Sequence, residues 1–464
     1  MHYWMKAALA AGLLSSSAAA SAESYIVLGS GSGDLAAAVA NAGGKLIKRL
    51  PSVDAVIAEG SGGFKLKAAG QAGVRSVVPN LRIDWLPGEK IAGEAVAGAL
   101  DPPDNPPGTI DDRFNLQWGH TAVQAVAAWN GGSRGKGARV AVLDGGFSLT
   151  HPDIATKYDA SCTADMTGEG IAYGPNSDDP SGIFSHGMHT AGTVAAAQNN
   201  VGTIGVAPDA ELCLVKVLFN EGSGSFEDVV EGIIFAADKD VDIISMSLGA
   251  NLVKSGEKGL YTAFEAGELR HFIDRAVDYA TNRGALVIAA AGNDAIDFDK
   301  TSNLISLPSD SPGALSISAT APIGWALNPN VSLDNLASYS NFGQSAISFG
   351  APGGDFRPDL VPGNCTVSGI TRACAVFDLV FSTGAVVTRR TRLAAPGAYY
   401  YWSAGTSMAT PHVSGVAALI VGRFGSMPPS QLRSLLEQGA DDLGKPGNDS
   451  LYGAGRVNAA KSTE

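Results

Sequence analysis

Five short runs along the chain are apolar at almost every position: ARVAVLDGG (138–146), ELCLVKVLF (211–219), VDIISMSLG (241–249), ALVIAAAGN (285–293) and ALSISATA (314–321). Between several of them lie segments of helical period, such as FEDVVEGIIFAADKD (226–240) and FIDRAVDYATNRG (272–284). Uninterrupted apolar strands alternating with helices predict an α/β fold, a mostly parallel central sheet covered by helices on both faces. Three of the strands end in a polar residue beside glycine: Asp144, Ser247 before Leu248 and Gly249, and Asn293. Ligands in open α/β sheets bind beyond the carboxyl ends of the strands, so the chain concentrates polar groups where a site is expected.

The pattern before residue 86 is different. SYIVLG (24–29) reads as a strand and GDLAAAVANAGG (33–44) as a helix. KLIKRLPSVDAVIAEG (45–60) reads as one or two strands, FKLKAAGQAG (64–73) as a helix and VRSVVPNLRID (74–84) as a strand. That order predicts a small α+β, ferredoxin-like domain over 23–86. Residues 87–114, with ALDPPDNPPGTIDD at 99–112, form a linker, and 115–464 form the main domain. At the start, a lysine precedes a short apolar stretch and Ala20-Ser21-Ala22, the pattern of a secretory signal peptide over 1–22. The stretch is too short for a membrane span, so the expectation is a secreted protein with no membrane partner.

Composition narrows the classes. The formal charge is −13 and charged residues make up only 17% of the chain, with no basic stripe, which argues against nucleic acid as a partner. Four cysteines, Cys162, Cys213, Cys365 and Cys374, suit an oxidising compartment and lack metal-ligand spacing. Of their three pairings, Cys365–Cys374 closes a short loop and leaves Cys162 with Cys213. Free buried thiols are the alternative.

Candidate chemistry centres on SAGTSMATPHVSG (403–415), where a polar loop turns into an apolar helix. A serine there either caps the helix or is a nucleophile at its positive end. A serine hydroxyl needs an imidazole to accept its proton and a buried carboxylate to orient that imidazole. Asp144, His186 in SHGMHTAGT (185–193) and Ser407 supply the three groups in the order Asp, His, Ser, which is the subtilisin order. The chain resembles the subtilisin-like serine proteases, the subtilases. Their pattern Gly-Thr-Ser-Met-Ala-(Ser/Thr)-Pro-His is met in full from Gly405 to His412. His-Gly-Thr-His-Val-Ala-Gly-Thr is met from His186 to Thr193 except at Met188 and Thr190. Asp-(Ser/Thr)-Gly becomes Asp144-Gly145-Gly146. These departures replace neighbours of the three groups, and so bear on packing rather than chemistry.

The resemblance implies further roles. Asn293 and the Ser407 backbone N–H would bind the oxyanion. Pro411, lacking an N–H, suits a place near the helix start. Gly222, Ser223 and Gly224 on one side, and Ser247, Leu248 and Gly249 on the other, would pair with an extended peptide. Ser306 would line the floor of the first pocket and Asp294 its rim, and NLVKSGEKGLYTAFEAGELR (251–270) is an insertion bordering the cleft. AQNNVGTIGVAP (197–208) matches the family's calcium loop: Asp153, the Asn199 side chain and the carbonyls of Ala197, Val201 and Thr203 would hold a structural Ca²⁺. Gln117 is offset from the glutamine that often joins this site. His189 is read as structural, and no catalytic metal is expected.

The domain at 23–86 resembles the subtilase propeptide, an intramolecular inhibitor and folding template, with the scissile bond between Trp85 and Asn115. The expectation is therefore a secreted, monomeric serine endopeptidase that matures itself and takes extended peptides or unfolded protein. Two other classes compete: an inactive subtilase-fold peptide-binding module, and an esterase of the α/β-hydrolase type. The latter is opposed by the residue order and by GTSMA, which lacks the second glycine of G-x-S-x-G.

Overall fold

The computed structural model describes residues 22–86, 96–97, 111, 113–174, 185–385 and 399–464. The expected signal segment, apart from Ala22, and nearly all of the expected linker lie outside them. The chain forms two compact units, which part between Pro79 and Asn80.

The first unit runs β1 (Glu23–Gly29), α1 (Leu35–Asn41), β2 (Lys45–Leu50), β3 (Ala55–Gly60), α2 (Phe64–Ala69) and β4 (Val74–Pro79). The stretch 45–60 becomes two strands because Pro51 opens a 3₁₀ turn over Pro51–Val53 and Asp54 takes a left-handed φ of 47°. The sheet order is β2-β3-β1-β4 with every pairing antiparallel, the split β-α-β arrangement. Asp34 caps α1 by accepting from the Ala36 and Ala37 N–H groups. Alternate strand residues Val27, Val56 and Val77 meet Val39 and Phe64 from the helices in one core.

In the second unit a short strand β5 (Arg82–Asp84) precedes the large sheet. The five apolar runs become β6 (Arg139–Asp144), β7 (Glu211–Lys216), β9 (Ile243–Met246), β11 (Leu286–Ala290) and β13 (Leu315–Ala321); β8 (Ser223–Ser225), β10 (Ala250–Val253) and β12 (Leu304–Leu307) lie outside that sheet. The order is β7-β6-β9-β11-β13, all parallel. The first of these five strands in chain order, β6, thus lies between the second and third, which makes its carboxyl end a topological switch point. Helices α3 (His186–Ala195) and α6 (Thr406–Phe424) pack together, as do α4 (Phe226–Asp238) and α5 (Ala263–Asn282). Residues 251–270 are not loose. They form most of β10, which pairs with β12, then a hairpin of Gly256–Glu257 with Tyr261–Thr262, and then the start of α5. Thr262 and Glu265 cap that helix reciprocally. Disulfides join Cys162 to Cys213 and Cys365 to Cys374, the pairing expected from loop length. Among the described residues, no helix is long and apolar enough to cross a membrane.

Candidate active site

Asp144 is the last residue of β6 and is fully buried. An anion there needs donors, and it has three. Its Oδ1 accepts from Nδ1 of His186 (2.7 Å) and from the Gly145 N–H (2.6 Å), while its Oδ2 accepts from the Thr190 hydroxyl (3.0 Å). His186 and Thr190 reach it together because they stand four residues apart on α3, which Ser185 caps through the Met188 N–H. A carboxylate against Nδ1 fixes the proton there and leaves Nε2 as the basic nitrogen. Of the family-pattern departures, Thr190 supplies a hydroxyl to the carboxylate and Met188 fills a buried space, its Sδ 3.1 Å from the Ser148 nitrogen. Gly145 is not sterically forced, since a β-carbon there would come no closer than 4.0 Å to its neighbours.

Ser407 is the second residue of α6 and is 4% exposed. Pro411 does not sit near the helix start as expected but at the sixth helical position. Lacking an N–H, it leaves the Ser407 carbonyl without the usual helical donor. The Ser247 hydroxyl fills that place, donating to the Ser407 carbonyl at 2.7 Å. In return the Ser407 hydroxyl donates to the Ser247 carbonyl at 3.0 Å. The proton expected to face His186 is therefore directed to the end of β9 in this state. The reciprocal pair ties the start of α6 to the strand beside β6.

Asn293 follows β11 with its side-chain oxygen held by the Thr406 N–H (2.8 Å) and hydroxyl (2.9 Å). This turns its Nδ2 toward Gly405. A β-carbon placed on Gly405 would lie 3.5 Å from that Nδ2 and 3.5 Å from the Ser407 nitrogen, so two donors from different segments face one small space. A cavity beside it is lined by Gly249, Asn293, Asp294, Ser306, Ser407 and Leu86, among others. Asp294 accepts from Asn251 of the insertion, and burial raises its carboxyl above the ordinary range. The insertion thus forms a wall of this cavity and of a larger neighbour of about 390 Å³ next to β5.

The expected peptide-binding edges hold a strand of the chain itself. β5 pairs antiparallel with β8, Arg82 opposite Ser225 and Asp84 opposite Ser223. The Trp85 N–H donates to the Gly222 carbonyl (3.1 Å) and the Gly249 N–H to the Trp85 carbonyl (2.9 Å), so the segment is gripped from both sides. Trp85 is fully buried, its ring edge-on to Phe226 and its Nε1 donating to the Gly224 carbonyl. Gly222 adopts φ 92°, a turn conformation that favours glycine.

The subtilase family model matches residues 135–455. The chain is 34% identical over 349 residues to subtilisin Savinase of Lederbergia lenta, covering 75% of this chain and 99% of that protein. M-protease of Shouchella clausii (strain KSM-K16) is also 34% identical, over 75% of this chain and 70% of its own length. The chain belongs to the subtilase family. It is a serine endopeptidase. A solved serine protease from Staphylococcus aureus, described as processing the epidermin leader peptide, shares the fold with a TM-score of 0.71 at 19% identity, over 96% of this chain and 98% of that one.

In this subtilase two buried carboxylates, Asp111 and Asp153, face the loop expected to hold calcium. Asp153 accepts through Oδ2 from the Thr203 N–H and hydroxyl. Asp111, which the sequence did not single out because it stands in the linker, accepts from the Asn199 and Asn200 N–H groups. Burial, with a smaller contribution from Asp111, raises the Asp153 carboxyl to about 7. Paired buried anions are the chemistry a hard cation relieves, and in that respect the donor set fits. Asn199 departs from the expectation. Its Nδ2 donates to Asp153 Oδ1 and its Oδ1 accepts from the Val201 N–H, so the amide must rotate before its oxygen can serve. Gln117 touches the loop only at the Ile204 backbone, pairing with it both ways, so its side-chain oxygen is already taken by the Ile204 N–H. A second acidic group, Asp159 with Glu211 beside Cys162, is accounted for by Arg139 and the disulfide. His189 bonds the Val380 carbonyl through Nε2 (3.0 Å) and packs on Tyr401, and burial lowers it to about 3, as a structural residue requires.

Proposed function

We propose that this serine protease cleaves peptide bonds through an acyl-enzyme on Ser407, with His186 as general base and then acid. Asp144 orients the ring, and Asn293 with the Ser407 N–H binds the oxyanion. The observation that carries the reading is the buried Asp144–His186 bond of 2.7 Å at the switch point, with the Ser407 hydroxyl tied to the adjoining strand. A peptide N–H that takes the Ser247 carbonyl would displace the Ser407 proton from it. The hydroxyl then turns to His186 Nε2, so substrate binding and nucleophile activation are one event.

Gly222–Gly224 and Ser247–Gly249 are the backbone edges that hold the substrate, with Asp294 and Ser306 lining the pocket beside the scissile bond. The grip on residues 80–86 supports reading the N-terminal segment as a propeptide that occupies the cleft until it is cut beyond Leu86. Export through the signal segment is consistent with two disulfides. A structural Ca²⁺ held by Asp153, by the carbonyls of Ala197, Val201 and Thr203, and by Asn199 after rotation completes the proposal; the ion would neutralise the buried carboxylates.

The Ser407→Ala chain should accumulate at full length, whereas the parent chain should be cut after Leu86 and label with a fluorophosphonate. Normal processing of the alanine chain in a host lacking other such proteases would sink the assignment. An unlabelled, unprocessed parent chain would favour a peptide-binding module.

A further inference from the structure

The turn between β7 and α4 grips one side chain of the bound strand in a way that the pairing of main chains does not require. The Arg82 Nε donates to the Ser223 hydroxyl oxygen at 2.7 Å, and its Nη2 contacts the Glu221 carboxylate. The guanidinium carbon lies 3.5 Å from the centroid of the Phe219 ring. Ser223 also donates its hydroxyl proton to Glu221 at 2.7 Å, so its oxygen is left to accept from Arg82.

The turn is held by its own bonds, the Phe219 N–H to the Ser223 carbonyl (2.8 Å) and the Gly222 N–H to the Phe219 carbonyl (2.9 Å). Ring, carboxylate and hydroxyl are thereby presented together by the turn's own backbone. A flat face, an anion and a neutral acceptor suit a planar fork of N–H donors better than an ammonium, which cannot stack.

We propose that Phe219, Glu221 and Ser223 form a subsite for an arginine of the substrate, three residues before an aromatic residue seated where Trp85 lies. This rests on the reading of the cleft as a peptide site. Residues at odd spacing on an extended strand project to opposite faces, so the arginine lies on the surface turn while the aromatic enters the interior. The cleft then selects extended segments of the form Arg-x-x-aromatic, and prefers arginine to lysine at the first position.

A synthetic peptide of residues 80–86, capped at both ends, tests this as a competitive inhibitor of the processed enzyme, read from initial rates on a chromogenic peptide. Replacing Arg82 of the peptide by alanine should raise the inhibition constant about three- to tenfold, and lysine should recover only part of the loss. On the Glu221→Ala enzyme the parent and Arg82→Ala peptides should differ much less. Equal constants for the two peptides on the parent enzyme, or an undiminished difference on the Glu221→Ala enzyme, would overturn the subsite. If a peptide carrying Trp85→Ala still loses affinity while Arg82→Ala does not, the cleft reading stands and only the arginine subsite falls. If no peptide inhibits an enzyme that cleaves its reporter, both fall.

Discussion

Thr190 is the residue whose role a pattern comparison would discount. It stands where the family pattern has valine, yet its hydroxyl reaches the far oxygen of the carboxylate that orients the imidazole. A hydroxyl there fixes the rotation of Asp144; the neighbouring Gly145 supplies only its N–H. We expect Thr190→Val, which keeps shape, to lower kcat about tenfold with KM nearly unchanged, and to shift the acidic limb of the kcat/KM profile, since the imidazolium formed in the reaction depends on that carboxylate. Thr190→Ser should restore both. A loss of thermal stability with an unchanged pH profile would make Thr190 a packing residue only. The Asp144–His186 pair was legible in the sequence because a carboxylate and an imidazole in that order leave few readings, whereas the tie of the Ser407 hydroxyl to Ser247 was not. Thr190 was visible only as a departure, since a hydrogen bond between β6 and α3 has no signature in spacing.

At the scale of elements, strands were legible and their connections less so. All five apolar runs became sheet strands because burial on both faces demands apolar residues throughout. Pro411 shows the limit. Its chemistry forbids an N–H, but the compensating donor comes from Ser247, more than a hundred residues away in the chain, and long-range partners leave no local trace. The loop over 197–203 has the same character. Asp153 belongs to the matched pattern, whereas Asp111 arrives from the linker to double the charge. On the calcium proposal the ion neutralises the two buried carboxylates that face this loop. Adding EGTA to the purified enzyme should therefore lower Tm by several degrees, about what a loss of 1–3 kcal/mol gives a domain of this size, and excess Ca²⁺ should reverse it. An unchanged midpoint would show that Asn199 and Thr203 satisfy Asp153 without an ion.

For the molecule as a whole, the groups that decide acid stability are buried histidines rather than surface pairs. Burial lowers His120 and His189 to about 3 and His151 and His412 to about 4. Unfolded, each would titrate near 6.5. At pH 5 the unfolded chain therefore holds four protons on these rings that the folded chain does not. Asp378 works the other way: burial raises it to about 6, so the folded state binds a proton there that the unfolded state releases. On the calcium proposal Asp153 stays ionised and does not enter; without the ion it would bind a proton in the folded state as Asp378 does. The net difference near pH 5 is three protons in favour of the unfolded state, so stability rises with pH, by at most about 4 kcal/mol per unit between pH 4.5 and 6. Urea midpoints of the Ser407→Ala chain, measured with Ca²⁺ present to exclude self-digestion, should climb steeply across that interval and level off above pH 6.5. A flat profile would mean that the rings open to solvent and protonate before the fold is lost, and the buried-histidine account would have to be abandoned.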